Sequence, residues 1–361
     1  KLATDVSRWV RNSAFQYLGP LIATLANDEI TPKLLQYYSS MASGKGSTGG
    51  SDNEMPAFCA YNFPAVAMSA GRDKWKHLEE AYRELQKDIQ WKVRRTLAYS
   101  VHEMALILGP ALAQQALIPA VDAFLKDLDE VKIGVIQNLS RLLAGLDPAG
   151  RAHFVSLICS LEMESDNWRF RQLLATQLGE LFELYEEDVI RKELYPIFIK
   201  LARDPVAEVR GCTAAQLQRV LQRLDALQVS WWGDVSEEVL DLADDRNYQY
   251  RLVFAGMAER LLEGDVPALL HTHFTTLFLP KLLELCDDHV PNIRARVAAC
   301  LRRAAEKAPS LFIADAPRIL AAADRLGRDR DVDVVRSAGV AVGLGVTTLA
   351  LSGRPDPVPA H

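Results

Sequence analysis

Residues 288–294 read Asp-His-Val-Pro-Asn-Ile-Arg, and this stretch is the clearest copy of a motif that recurs along the chain. The motif is an acidic residue followed, a few positions later, by an apolar residue and then Arg. Its copies are Asp5…Val10-Arg11, Asp88…Val93-Arg94, Asp166…Phe170-Arg171, Asp204…Val209-Arg210, Asp245…Tyr250-Arg251, Asp288…Ile293-Arg294 and Asp331…Val335-Arg336. A degenerate copy, Asp129…Ile133-Gly134, occupies the one gap where a copy is due.

The spacing of the copies is nearly constant. From Arg94 onward the successive offsets are 40, 37, 39, 41, 43 and 42 residues, and the step from Arg11 to Arg94 is 83 residues, or two periods. Such a period is typical of solenoids built from antiparallel helix pairs, of the HEAT and armadillo kind. The sequence therefore predicts an all-α HEAT-repeat solenoid of about nine paired-helix repeats.

A physical reason accounts for the order of residues in the motif. An Asp in the tight turn between two helices can accept hydrogen bonds from the free N–H groups that begin the second helix. The Arg then lies in the first turns of that helix, where it can reach the Asp of a neighbouring repeat. We therefore expect the Asp and Arg side chains of successive repeats to form a ladder.

The repeats define the expected domain organisation. We predict one solenoid over residues 1–351, interrupted by a flexible Gly/Ser loop at 43–53 and followed by an extended Pro-rich tail at 352–361. First helices are expected near 72–86, 113–126, 151–163, 188–201, 234–243, 273–286 and 310–325. Second helices are expected near 90–108, 130–146, 168–183, 207–223, 248–262, 290–307 and 333–350.

Composition indicates which kinds of partner the chain can attract and in which cellular compartment it is expected. Apolar residues make up 49% of the 361 positions and charged residues 24%, as in ordinary folded proteins. A net charge of −6 gives no global attraction to nucleic acid or to an anionic membrane. The five cysteines lack CxxC pairing, which indicates a reducing compartment, and no apolar run reaches the ~20 residues of a membrane span. We expect a location in the cytosol, or in the cytosol and nucleus.

The sequence offers little that could carry chemistry. His271 and His273 begin a predicted helix and Cys286 and His289 end it, about 20 Å away, so four zinc ligands could not converge. His102-Glu103 is a single pair, whereas a di-iron hydroxylase on HEAT-like repeats needs several. No nucleophile elbow, Walker loop or dinucleotide fingerprint occurs. We expect no enzyme activity, no cofactor and no metal.

The inter-helix turns are the expected partner-binding surface. Stacked turns form a continuous edge, and Trp is a residue type favoured at binding hot spots. A packing role between repeats competes with a binding role for Trp91 and Trp168, and packing is favoured for Trp231-Trp232. The acidic candidates also cap helices. The expected partner-binding residues are Trp91, Asp166, Trp168, Asp204, Asp245, Asn247, Asp288 and Asn292.

Several stretches go beyond a generic HEAT pattern. They are Cys59-Ala60-Tyr61-Asn62-Phe63-Pro64, Trp91-Lys92-Val93-Arg94-Arg95-Thr96-Leu97-Ala98, Phe124-Leu125-Lys126-Asp127-Leu128-Asp129-Glu130-Val131, Asn167-Trp168-Arg169-Phe170-Arg171 and Val290-Pro291-Asn292-Ile293-Arg294. Through them, from about Trp9 to about Arg303, the chain resembles the family of regulatory subunit 1 of protein phosphatase 4, a relative of the scaffolding subunit of protein phosphatase 2A. The family carries a long acidic insertion where this chain has the Gly/Ser loop, and the match weakens from about Ala304.

The resemblance implies a non-catalytic protein that binds the phosphatase 4 catalytic subunit and directs it to phosphoprotein substrates. Two alternatives remain open. The chain could be another HEAT-repeat scaffold or a transport adaptor, which a pull-down with the catalytic subunit would distinguish. It could also be a HEAT-like enzyme, a DNA glycosylase or a hydroxylase, which would require a basic groove or bound iron.

Overall fold

The computed structural model describes residues 2, 5–43, 54–163, 167–264, 269–307 and 316–339. Within these ranges every regular element is helical, and no strand occurs. The Gly/Ser loop from Gly44, the predicted helix beyond Gly339, the Pro-rich tail and the candidate Asp166 lie outside the described residues. The chain divides into two compact units, Lys1–Leu161 and Glu162–His361.

Along the described ranges, the first helix of each repeat alternates with a second helix, which confirms the all-α HEAT-repeat fold class. The second helices follow the motif turns, except for Met55–Ala70, which follows the Gly/Ser loop. They are Arg8–Ala23, Met55–Ala70, Trp91–Leu108, Asp129–Ile136 with Leu139–Ala144, Trp168–Leu184, Ala207–Ala215 with Leu217–Leu227, Tyr248–Glu263, Pro291–Lys307, and residues 332–339. The first helices are Pro32–Ser39, Arg72–His77 with Glu79–Gln86, Pro110–Phe124, Pro148–His153 with Val155–Met163, Glu187–Val189 with Ile190–Leu194 and Tyr195–Ala202, Trp232–Asp244, Leu270–Phe278 with Leu279–Leu285, and Ala316–Gly327.

Second helices stack on one another within each unit. In the first unit Trp91–Leu108 packs between Met55–Ala70 and Asp129–Ile136, and in the second unit Tyr248–Glu263 packs between Ala207–Ala215 and Pro291–Lys307. Apolar residues at helical spacing supply the buried faces, as Leu97 and Val101 do in the first of these helices. Each fully buried large apolar side chain contributes about 1.5–3 kcal/mol of transfer free energy.

An aromatic cluster anchors the first unit. Phe63 lies at the centre, with its ring centroid 5.1 Å from Tyr82, 6.1 Å from Tyr38 and 6.4 Å from Trp75. The hydroxyl of the buried Tyr38 donates to the Cys59 carbonyl at 2.6 Å, so its polar tip is paired inside the core.

Two first helices of the second unit contain a π-helical segment, Ile190–Leu194 and Leu270–Phe278. Each segment runs into a helix whose second residue is proline, Pro196 and Pro280. Proline has no N–H to donate to the carbonyl four residues earlier, and its ring crowds that carbonyl. The widened turns accommodate the proline without ending the helix.

The tandem tryptophans Trp231 and Trp232 serve packing, as the sequence favoured. Trp231 is buried, its Nε1 donates to Glu187 Oε1 at 3.0 Å, and its ring centroid lies 5.2 Å from that of Tyr195. The ring of Trp232 lies 4.5 Å from the imidazole of His273. Both indoles therefore join the helix Trp232–Asp244 to its neighbours.

Candidate functional site

The motif turns that the structure describes are organised by hydrogen bonds from their own backbone. At the turn before Tyr248–Glu263, the Asn247 N–H donates to Asp245 Oδ1 at 2.8 Å, and the Gln249 N–H donates to Asn247 Oδ1 at 3.0 Å. Arg251 then points back, and its Nη1 donates to the Asp245 carbonyl at 2.7 Å. The Asp and Asn thus satisfy N–H groups at the start of the helix, and the Arg closes the turn from inside.

The Arg also reaches the carboxylate of the following repeat. Arg251 Nε lies 2.6 Å from Asp288 Oδ2, and Nη2 lies 3.1 Å from Oδ1, so the contact is bidentate. The same Arg-to-Asp pair occurs at Arg94–Asp127, Arg171–Asp204 and Arg294–Asp329, with Nε–Oδ2 distances of 2.5, 2.5 and 2.6 Å. These four contacts form the predicted ladder, called the Arg–Asp ladder below, and the prediction is confirmed.

Two members of the ladder differ from the residues that the sequence motif indicated. The carboxylate that receives Arg94 is Asp127, not Asp129, and the one that receives Arg294 is Asp329, not Asp331. Asp331 instead accepts from the Asp333 N–H at 2.9 Å and caps the helix. In these two turns the ladder carboxylate therefore lies two residues before the position that the motif marked, whereas Asp204 and Asp288 are the motif residues themselves.

The ladder changes the acid–base properties of its carboxylates. Hydrogen bonds from Arg94 and Arg294 lower the pKa of Asp127 and Asp329 below the ordinary value. Burial alone would raise the pKa of Asp288, but the hydrogen bonds from Arg251 and from the Val290 N–H outweigh it, and the pKa is lowered. These groups are held ionised for structural reasons.

The degenerate copy has a steric explanation. Gly134 stands where the other copies have Arg, and a Cβ built there would lie 2.6 Å from Tyr99 Cδ2 and 3.0 Å from the Tyr99 backbone nitrogen. The helices Trp91–Leu108 and Asp129–Ile136 thus approach too closely at this point for any side chain.

The structure assigns Asp204 and Asp288 to the interior of the turns. The Asp204 residue is 4% exposed, and its Oδ1 accepts from the Val206 N–H at 2.8 Å while Oδ2 pairs with Arg171. Asp288 is engaged in the same way by the Val290 N–H and Arg251. Their carboxylates are occupied by internal partners, so they position the turn and leave little to offer another protein.

The other candidates remain at the surface to different degrees. Asn247 and Asn292 are exposed, and Asp245 is half-buried. Trp91 and Trp168 are half-buried at the first positions of their helices, and the guanidinium of Arg169 lies 5.2 Å from the Trp168 ring centroid. Part of each indole thus remains available at the surface of the turn.

A groove that the sequence analysis did not single out continues the surface of Trp91. The Arg95 guanidinium lies between two rings, 5.8 Å from the Trp91 centroid and 5.4 Å from the Tyr99 centroid. Arg95 and Tyr99 line a cavity of about 630 Å³ together with Tyr61, which is 77% exposed. The spacing i, i+4, i+8 of Trp91, Arg95 and Tyr99 places them on one helix face, and this signal was present in the sequence.

In the described part of the chain, no three His, Cys, Asp or Glu side chains come together in a way that could hold a metal ion. His273 Nε2 lies 2.8 Å from Asp225 Oδ2. Burial raises the pKa of the Cys59 and Cys286 thiols to about 12, so both stay protonated.

In the ranges that the structure describes, no helix combines the length and apolar character needed to cross a membrane.

Sequence comparison agrees with the resemblance noted above. The model of the protein phosphatase 4 regulatory subunit 1 middle domain matches residues 59–161. The human serine/threonine-protein phosphatase 4 regulatory subunit 1 is 35% identical over 326 residues, which cover 88% of this chain and 34% of the relative. The mouse protein of the same name is 35% identical over 322 residues, 87% of this chain and 33% of the relative. The chain therefore spans about a third of the length of these relatives.

Comparison with solved structures supports the fold. Yeast importin-beta (Kap95p) superposes with a TM-score of 0.63 at 14% identity, over 99% of this chain and 47% of that chain. Kap121p bound to Nup53p gives a TM-score of 0.64 at 12% identity, over 96% of this chain and 37% of that chain. At these identities the likeness concerns the helical solenoid architecture alone.

Proposed function

Over most of its length the chain is a relative of regulatory subunit 1 of protein phosphatase 4, and on this basis we propose that it is a non-catalytic regulatory subunit. In this role it binds the phosphatase 4 catalytic subunit and directs it to phosphoprotein substrates. The observation that carries the proposal is the 35% identity maintained across 88% of the chain. The proposed location is the cytosol, or the cytosol and nucleus.

The chemistry of the described residues supports a binding role. The perturbed carboxylates of the Arg–Asp ladder are committed to turns and inter-repeat contacts, and the buried thiols stay protonated. Side chains that could engage a partner lie on the turns and the adjoining second helices. A HEAT-repeat surface can hold an enzyme at one set of turns while another part of the same surface holds its substrate.

The structure narrows the residues to be tested. Asp204 and Asp288 are unsuitable positions for a binding test, because their replacement would disturb the ladder. The proposed contact residues of the first unit are Trp91 with Arg95, since an indole and a guanidinium stacked at the surface have the composition of a hot spot. Those of the second unit are Trp168, Asp245, Asn247 and Asn292.

A pull-down with the purified phosphatase 4 catalytic subunit tests the function directly. We expect the parent chain to retain that subunit, and to retain the protein phosphatase 2A catalytic subunit much less. Failure of the parent to bind, with the chain folded by circular dichroism, would refute the proposal.

Two substitutions then test the surface. Trp91→Ala combined with Arg95→Ala is expected to weaken binding at least tenfold, because truncated hot-spot side chains typically cost about 2 kcal/mol or more. Trp9→Ala is the matched control, since Trp9 is an exposed tryptophan of the helix Arg8–Ala23 and the proposal does not use it. Equal binding by both variants would place the contact surface elsewhere and leave the function itself standing.

A further inference from the structure

The Arg–Asp ladder is interrupted at one position of the second unit. Arg210 closes its own turn as Arg94, Arg251 and Arg294 do, with Nη1 donating to the carbonyls of Asp204 at 2.7 Å and Pro205 at 3.0 Å. Asp245 stands 35 residues further on, the separation found between Arg294 and Asp329. Within the described ranges, however, Arg210 Nε and Nη2 have no hydrogen-bond partner, although the residue is only 7% exposed. This edge of the guanidinium, which faces the cavity described below, thus lacks the carboxylate that its counterparts receive.

A cavity lies beside this guanidinium, between the second helices Ala207–Ala215 and Tyr248–Glu263. Its volume is about 210 Å³, room for several water molecules of about 30 Å³ each. The polar lining comes from Arg210, Gln249, Arg260 and Arg296. No carboxylate is among the described residues that line it.

The charge around the cavity is positive after the local ion pairs are counted. Arg260 pairs with Glu263 at 2.8 Å, Arg296 pairs with Glu259 at 2.7 Å, and Arg303 contacts both glutamates. Three arginines therefore share two carboxylates, and Arg210 adds a further charge. Among the described residues, Arg296 Nε is buried without a hydrogen-bond partner. An unpaired buried donor of this kind costs about 1–3 kcal/mol.

We propose that this cavity, called the arginine pocket below, binds a phosphoryl group carried on a peptide side chain. Guanidinium groups present paired N–H donors that match the oxygens of a phosphate. A phosphoryl group has three acceptor oxygens and a charge near −2, so it can engage more than one arginine at once. The volume leaves room for the stem of the side chain as well as the phosphate. This proposal does not rest on the proposed function.

Two glycines give the pocket its shape. Gly211 lines it in the middle of the helix Ala207–Ala215, and a Cβ built there meets no atom within 4 Å. A Cβ on Gly256 would lie 3.4 Å from Arg296 Nη2. Gly211 is thus a position where a larger side chain would enter the pocket without disturbing the packing.

Isothermal titration calorimetry of the whole chain tests the proposal. The probes are a short peptide with one phosphoserine and the same peptide with serine or with glutamate at that position, at constant ionic strength. We expect the phosphopeptide to bind at least tenfold more tightly than either counterpart, because hydrogen bonds to charged groups contribute more than neutral ones. Equal affinity for the serine peptide would overturn the proposal, and equal affinity for the glutamate peptide would overturn the phosphoryl assignment.

Substitutions locate the binding. Gly211→Leu should abolish the preference for the phosphopeptide by filling the pocket, whereas Gly211→Ala should keep it. Arg260→Gln should weaken phosphopeptide binding about tenfold. Arg219→Gln is its matched control, because Arg219 pairs with Glu180 and Glu183 outside the pocket. Undiminished phosphopeptide binding by Gly211→Leu or by Arg260→Gln, with thermal unfolding confirming a folded chain, would refute the site.

Discussion

Arg251 and Asp288 join two successive turns through a buried bidentate contact, in which the side chains are only 7% and 5% exposed. The same Arg251 closes the turn at Asp245, and the same Asp288 accepts from the Val290 N–H. One pair of side chains therefore couples the ends of two helices to each other. The position of each turn depends on the next, which explains why the motif recurs with such regular spacing.

Replacement of Arg251 by methionine should destabilise the second unit strongly. Asp288 would remain buried without its cation, and breaking a buried pair by removing one partner typically costs about 3–5 kcal/mol. Urea unfolding measures the change. Arg219→Met is the control, because Arg219 and Glu180 form an exposed pair, for which a loss of about 1 kcal/mol or less is expected.

A second substitution distinguishes the cost of breaking the Arg251–Asp288 ion pair from the cost of losing the cap on the Val290 N–H. Asp288→Leu in the Arg251→Met background removes the stranded charge, and replacing both partners by apolar groups can be nearly neutral. We expect the double variant to be more stable than Arg251→Met alone. Equal or lower stability of the double variant would mean that the capping of Val290, rather than the ion pair, dominates.

The choice of ladder carboxylate can be checked in the first unit. Asp127→Asn should lower the free energy of unfolding by about 1–3 kcal/mol, because Asp127 receives two hydrogen bonds from Arg94. Asp129→Asn should change it by less than about 0.5 kcal/mol, since the Asp129 side chain is 54% exposed and surface substitutions have small effects. A larger loss of stability for Asp129→Asn than for Asp127→Asn would indicate that Asp129, as the motif predicted, is the carboxylate that stabilises this turn.

Much of this architecture was accessible from the sequence. The second helices predicted at 168–183, 248–262 and 290–307 are observed at Trp168–Leu184, Tyr248–Glu263 and Pro291–Lys307. Periodicity and capping residues were enough, because each helix is defined by local signals. The ladder was predicted because its partners recur at one spacing.

Other features depend on contacts that periodicity does not encode. Asp127 and Asp129 both lie near the turn, and only the packed structure decides which one meets Arg94. The burial of Asp204 and Asp288 likewise follows from the stacking of neighbouring turns. The sequence does not show that Arg210 lacks a carboxylate partner, because Asp245 follows it at the expected sequence separation.

Acid should weaken the fold through the ladder carboxylates. The pKa values of Asp127, Asp288 and Asp329 are lowered in the folded chain, so the unfolded chain binds more protons at pH values near 4. Their contribution to stability is present above the unfolded pKa of about 3.9 and is lost as the pH falls through the lower folded values. Urea unfolding between about pH 6 and pH 3 should show stability falling at the acid end.

The variant Asp288→Asn provides the control for this dependence. It should be less stable than the parent at neutral pH and should lose less stability on acidification, because one of the shifted carboxyl groups is absent. Parallel curves for the two proteins would show that other groups cause the acid sensitivity.

Substitution of Gly134 should reveal how closely the helices of the first unit approach. The Cβ of Gly134→Ala would overlap Tyr99 Cδ2 at 2.6 Å and would lie tightly against the Tyr99 backbone nitrogen at 3.0 Å. Overpacking of this kind costs about 1–3 kcal/mol, which exceeds the gain in helix propensity of about 0.5–1 kcal/mol. Gly211→Ala is the matched control, since it gains the same propensity in open space and should stabilise the chain. Thermal unfolding should therefore shift in opposite directions for the two variants. A shift to higher temperature for both would mean that the helices Trp91–Leu108 and Asp129–Ile136 can separate at little cost, and would leave the absence of Arg at this position without its steric explanation.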